Sequence, residues 1–169
     1  MLPARNCISM ADSMSDLAGQ VETRDQRSYP SRPFLAVSVA VFRDGKVLIA
    51  ERLKPPAVGV FALPGGMVEP GERLEMAALR ELREEVGVEA EIIGFTRHIE
   101  VIERDTAGAL QFHAVVCPFA AKWVAGEPHS SAEAGRVAFV DPADLSHYPT
   151  TPGLAQIIAL ARDLVGCAP

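Results

Sequence analysis

Glu81, Glu84 and Glu85 stand at i, i+3 and i+4, with Arg80 directly before them and glycines on either side, at Gly65-Gly66 and at Gly87. On an α-helix that spacing brings side chains onto one side of the cylinder. Carboxylates so gathered repel: two of them about 4 Å apart cost roughly 4 kcal/mol at an effective dielectric of about 20. A divalent cation removes the cost. Mg2+ takes hard oxygen ligands, keeps several waters and shares its shell with substrate phosphates. The preceding Pro64-Gly65-Gly66 turn lets the backbone approach a ligand closely, and a free carbonyl there can add a ligand. An EF-hand is a poor rival, because that loop alternates Asp and Asn about a turn rather than Glu along a helix. The chemistry implied is metal-assisted work on phosphate.

The helix that must carry these acids is predicted over Arg73 to Val86, where Ala, Leu, Met, Glu and Arg dominate and no Gly or Pro interrupts. Gly87 follows as a C-terminal glycine stop. Counting about 100° per residue from Leu74, Ala78 and Leu82 fall at about 40° and 80°. On the same count Glu85 falls at about 20°, Glu81 at about 340° and Glu84 at about 280°. A solvated helix face would hold its acids opposite the apolar stripe. Here Glu81 and Glu85 sit in or beside it, so partial burial demands a counter-charge.

Around this helix the chain alternates strands and turns. Phe34 to Phe42 and Lys46 to Arg52 read as a β-hairpin closed by Asp44-Gly45. Leu53 to Gly59 reads as a loop containing Pro55-Pro56, and Val60 to Leu63 as a short strand. Further strands are predicted at Glu91–Phe95, His98–Arg104, Leu110–Cys117 and Arg136–Val140, with a turn at Asp105-Thr106-Ala107-Gly108. Leu154 to Val165 closes the pattern as an amphipathic helix, too short and too polar to span a bilayer. Strands and helices mix without a regular βαβ repeat, which predicts an α+β layered fold. The first 32 residues, rich in Ser, Asp, Arg and Gln, read as a loose tail ahead of one domain over residues 33–169.

The bulk composition narrows the partners. Of 169 residues, 49% are hydrophobic and 22% charged, an ordinary globular balance with enough chain for a substantial core. A net charge of −6 argues against broad electrostatic binding to nucleic acid or an anionic membrane. Nucleotides remain open, because a bound metal supplies positive charge that side chains do not. Cys7, Cys117 and Cys167 are odd in number and far apart, which predicts no disulfide framework and a reducing cytoplasmic setting. No long apolar core precedes Phe34, so no secretory signal is expected.

Gly66, Glu72, Arg80, Glu81, Leu82, Glu84, Glu85, Gly87 and Val88 together resemble the signature of the Nudix hydrolase family: Gly, five residues, Glu, seven residues, Arg-Glu, an aliphatic, one residue, Glu-Glu, one residue, Gly and an aliphatic. No position departs from it. A chance match at a given start is on the order of one in a billion from residue frequencies. The flanking strand pattern extends the resemblance from Phe34 to Val165.

The resemblance implies an α/β/α sandwich about a mixed sheet and hydrolysis of a nucleoside diphosphate linked to another group, with Mg2+ or Mn2+. By position it makes Glu81, Glu84 and Glu85 metal ligands, joined by a carbonyl at Gly65 or Gly66, with Arg80 and Glu72 orienting Glu81. A carboxylate outside the helix is expected as general base or further ligand. Glu133 is the first candidate and Glu127, in Ala125-Gly126-Glu127-Pro128, the second; either also fits an ordinary surface loop acid.

Val101-Ile102-Glu103-Arg104-Asp105, Gly108 and Gln111-Phe112-His113 resemble the ADP-ribose pyrophosphatase branch. Arg52, Arg104 and His113 are the candidate substrate contacts, Arg104 to a phosphate and His113 to a base or ribose, although strand-face exposure explains His113 as well. A proline that some ADP-ribose-cleaving members carry after the signature is replaced by Arg104, and no zinc ribbon or Ser-Gln-Pro-Trp motif points to NADH pyrophosphatase. Trp123 is expected in the core or on the sheet surface. The expected partner is a small nucleotide, ADP-ribose or a related nucleotide sugar, bound by a monomer or homodimer. Alternatives are a nucleoside triphosphate pyrophosphatase and a non-catalytic ligand sensor, the latter disfavoured because every acid is kept.

Overall fold

The computed structural model describes residues 28–55 and 57–166; Cys7, Cys167, Pro56 and most of the expected tail lie outside them. The chain runs β1 (Phe34–Arg43), β2 (Lys46–Arg52), β3 (Phe61–Ala62), β4 (Gly65–Met67), α1 (Leu74–Val86), β5 (Glu89–Phe95), β6 (Ile99–Arg104), β7 (Leu110–Ala125), β8 (Ala134–Val140), a 3-10 segment (Pro142–His147) and α2 (Leu154–Val165).

One mixed sheet organises the molecule. β1 and β7 pair in parallel from Phe34↔Ala114 to Phe42↔Lys122, and the other pairings between strands are antiparallel. The opposite edge of β1 is shared. Near the hairpin turn it meets β2, while Ala36–Ser38 meet β4. β2 goes on to pair with β3 and β8. The predicted Asp-Gly turn is present, with Asp44 and Gly45 at φ 51° and 76°, the positive pair that a two-residue hairpin requires.

Side-chain alternation along β1 divides the core. Val37, Val39 and Val41 face α1 with Ala77, Ala78, Leu82 and Val86, while Ala40 and Phe42 face α2 with Leu154, Ile157, Ile158, Ala161 and Val165. Each helix therefore covers one face of the sheet, and the α/β/α sandwich follows. No helix among the described residues is long and apolar enough to cross a membrane.

Three elements depart from the sequence-based pattern. Gly65-Gly66, expected as a loop, opens the short strand β4 on β1. The strand expected to end at Cys117 continues to Ala125 through Pro118. Pro within a strand normally costs a ladder bond. Here Pro118 lies where β7 changes partners, from β6 at Val116 to β5 at Phe119. Its carbonyl accepts from the Thr96 N–H and hydroxyl on that same edge, so the missing donor falls in the gap between partners. The Pro142–His147 turn was not predicted; Asp141 Oδ1 caps it by accepting from the Ala143 N–H. At the start of the described chain, Tyr29 donates its N–H to the Gln111 carbonyl and its hydroxyl to Asp105, which ties residues 28–32 to the β6–β7 hairpin.

Candidate active site

α1 packs on β1, β4 and β5, with its apolar stripe toward the sheet. Gly87 ends it at φ 71°, donating its N–H to the Arg83 carbonyl. Because β4 runs beside this helix, the two glycines face its acids. A Cβ on Gly66 would strike the Glu81 carboxylate, and one on Gly65 would strike the Val37 carbonyl. Gly65 donates its N–H to Glu85 Oε2 at 2.8 Å. Neither contact survives a side chain, which explains the glycine pair physically.

Arg80 is the hub. Its Nε and Nη2 grip Glu72 at 3.0 and 2.9 Å in a fork, Nη2 also reaches the Met67 carbonyl at 3.0 Å, and Nη1 reaches Glu81 at 2.9 Å and Glu84 at 3.2 Å. The fork holds the Glu72 carboxyl below its usual range, chiefly through the Arg80 hydrogen bonds, and those same bonds raise the Arg80 value. Side-chain exposure separates the acids as the angular count did: Glu81 is 19% exposed and Glu84 61%.

Burial pushes the Glu85 carboxyl up to about 7, against the pull of the Gly65 N–H and Arg52; Glu81 and Glu133 push it further up. Glu81 is likewise raised, mainly by burial, with Arg80 opposing and Glu84 and Glu133 adding to the rise. Glu133 thus bears electrostatically on both helix acids from outside the helix. It ends the β7–β8 loop, its N–H bonds Ser131 Oγ at 3.2 Å, its carbonyl accepts from Leu53 N–H at 3.0 Å, and its carboxylate pairs with Lys54 at 2.6 Å. Glu127 goes elsewhere: Arg43 holds it at 2.9 Å, with the Arg43 guanidinium against the rings of Trp123 and Phe139.

Among the described residues, no three His, Cys, Asp or Glu side chains are drawn together as a ready metal cage. Glu81 and Glu84 turn to Arg80, and Glu85 turns to Gly65. The donor set nevertheless fits a hard divalent cation. It consists of carboxylate oxygens, two of them raised by burial and by neighbouring carboxylates, beside a glycine whose missing Cβ leaves the Glu81 carboxylate open.

Of the predicted substrate contacts, Arg52 lies beside Glu85, close enough to lower its carboxyl. Arg104 and His113 lie instead on the β6–β7 hairpin. Arg104 donates to the Gly108 carbonyl in its own turn at 3.1 Å, and His113, half-buried, stands opposite Ile102. Sequence reading missed Lys54, which carries no motif and pairs directly with Glu133, next to the Leu53–Glu133 backbone bond. Trp123 is half-buried on β7 and donates its indole N–H to the Gly126 carbonyl at 2.8 Å.

Comparison with known proteins gives the geometry a family. Residues 32–161 match the NUDIX domain. The chain is 32% identical over 123 residues to an ADP-ribose pyrophosphatase of Methanocaldococcus jannaschii, covering 72% of this chain and 70% of that protein. It is 30% identical over 121 residues to a CTP pyrophosphohydrolase of Escherichia coli, covering 69% and 82%. Its fold is similar to that of the NUDIX domain of Shewanella oneidensis NrtR complexed with ADP ribose, at TM-score 0.65 and 26% identity over 79% of this chain and 89% of that one. With its glycine pair, Arg80 hub and acidic helix in one place, the chain belongs to the Nudix family and is a hydrolase of phosphoanhydride bonds.

Proposed function

We propose that the chain is a Mg2+-dependent pyrophosphatase of the cytoplasm. It cleaves the phosphoanhydride bond of a nucleoside diphosphate linked to another moiety, with ADP-ribose or a related nucleotide sugar preferred. The observation that carries the reading is the Arg80 hub, which joins Glu72, Glu81 and Glu84 beside a half-buried Glu85.

Glu81, Glu84 and Glu85, with the Gly66 carbonyl, would hold the metal, and Mn2+ would satisfy the same oxygen set. When bound, such an ion would supply charge neutralisation for the diphosphate and a lowered pKa for the attacking water. Glu72 fixes Arg80 by its two-point grip, and Arg80 in turn orients Glu81. Glu133 accepts the proton of the attacking water, and release from Lys54 frees it to do so. Arg52 meets the diphosphate beside Glu85, and on the β6–β7 hairpin Arg104 serves a phosphate and His113 the base or ribose.

Support for ADP-ribose comes from the M. jannaschii relative's own activity and the ADP-ribose in the NrtR complex. The E. coli relative, a CTP pyrophosphohydrolase, favours a second reading in which a nucleoside triphosphate is the substrate. A panel of ADP-ribose, other nucleotide sugars, dinucleoside polyphosphates and nucleoside triphosphates with Mg2+ separates the two by products. AMP plus a sugar phosphate is expected; nucleoside monophosphate plus pyrophosphate from a triphosphate alone transfers the assignment. Undiminished turnover in excess chelator contradicts the metal mechanism, and binding of ADP-ribose without any turnover indicates a ligand sensor.

A further inference from the structure

Glu133 must keep a set distance from acids carried on a different element. The loop that delivers it, Gly126 to Glu133, is fastened at several stations. At its start, Trp123 donates to the Gly126 carbonyl and Arg43 pairs with Glu127. At its end, Ser131 N–H bonds the Ala134 carbonyl at 2.8 Å, and Ser131 Oγ accepts from the Glu133 and Ala134 N–H groups. These stations hold the loop to its own strands and to the β1 end.

The middle station is different, because it holds the loop to α1. The His129 N–H donates to the Val86 carbonyl at 3.1 Å, one of the helix-end carbonyls that lack an intrahelical partner. The exposed His129 ring then lies beside Gly87, where a Cβ would collide with Nε2. Its Nδ1 is 3.2 Å from the Ser130 carbonyl, which can only accept, so Nδ1 donates and that edge of the ring is held by its own loop. Gly126 approaches the same spot, since a Cβ there would strike the Gly87 carbonyl. Gly87 is thus more than a helix stop: it is the slot into which the loop seats.

We propose that His129 is a positioning residue for Glu133, registering the β7–β8 loop against the helix that bears Glu81, Glu84 and Glu85. This rests on the reading of Glu133 as the proton acceptor. A ring at 129 occupies the space left by Gly87, and the backbone bond to Val86 fixes the loop along the helix axis. Without the ring, the Val86 bond opens more readily and Glu133 samples a wider range. A shift of about 1 Å in a catalytic group is enough to cost up to a hundredfold in rate.

The test pairs kinetics with amide exchange on the full chain. In His129→Ala, the amides of Leu53, which bonds the Glu133 carbonyl, and of Ala134 should exchange about tenfold faster, while those of β1 stay unchanged. With ADP-ribose and Mg2+, kcat should fall about tenfold at unchanged KM, and His129→Phe, which keeps a ring in the slot, should recover most of it. In a Glu133→Gln background, His129→Ala should cost nothing further. Losses that multiply in the double variant, faster exchange throughout the chain, or no change at Leu53 and Ala134 overturn the proposal. Full activity of Glu133→Gln, or no turnover of ADP-ribose, sinks the reading of the site instead, and the exchange data then judge the loop alone.

Discussion

At the residue scale, Glu85 is the most informative side chain. Burial and the neighbouring Glu81 and Glu133 raise its carboxyl to about 7 in the folded chain. The folded state therefore binds a proton that the unfolded chain has already released between the ordinary carboxylate range and about pH 7. Its contribution to stability is complete below that window and declines as pH rises through it. In chelator, wild-type Tm should fall across this window relative to Glu85→Gln, whose amide still accepts from the Gly65 N–H. Added Mg2+ should restore wild-type Tm most at the upper end, where no proton competes, and leave Glu85→Gln little changed. Parallel Tm profiles for the two proteins would remove Glu85 from both the charged cluster and the metal site. This burial was legible in the sequence, because helical period and apolar positions together put Glu85 inside the stripe. The ranking of Glu133 over Glu127 had only motif spacing behind it; Lys54, in the loop after β2, and Arg43, at the end of β1, separate the two acids from far away in the chain.

At the scale of elements, β4 and α1 act as one unit, with each glycine of β4 meeting a different neighbour. Gly65 is pressed against the backbone of β1, so Gly65→Ala should destabilise the fold by about 2–4 kcal/mol in denaturant unfolding, since backbone cannot step aside. The atoms nearest a Cβ on Gly66 are the flexible end of Glu81. Gly66→Ala should therefore leave Tm nearly unchanged while lowering turnover by about tenfold or more, because the carboxylate is displaced from its bond to Arg80. Equal effects of the two substitutions on stability would contradict this division. The helix, its glycine stop and the first hairpin were readable because each rests on local rules of period and turn chemistry. β4 was not readable: two glycines carry no strand propensity, and only pairing with Ala36–Ser38 makes them a strand.

At the scale of the molecule, the sheet separates two cores with different duties. The α1 side supports the acids, and the α2 side supports the sheet. Ile158 is 1% exposed within the α2 core. Ile158→Ala should cost about 2–5 kcal/mol of stability. At a temperature where the variant remains folded, kcat should match wild type. A comparable drop in kcat would mean that the two faces are coupled through the sheet.

The sequence by itself determined the acidic set, the helix that carries it, the glycines that bracket it and the resemblance that assigns its chemistry. All of these lie within one continuous stretch, where spacing translates directly into geometry. Only the tertiary structure decided which outside carboxylate faces the helix acids, that Arg52 lies beside Glu85 while Arg104 and His113 stay on the β6–β7 hairpin, and that His129 seats against Gly87. Those relations join residues far apart in the chain. They depend on strand pairing and close packing, which no local pattern encodes.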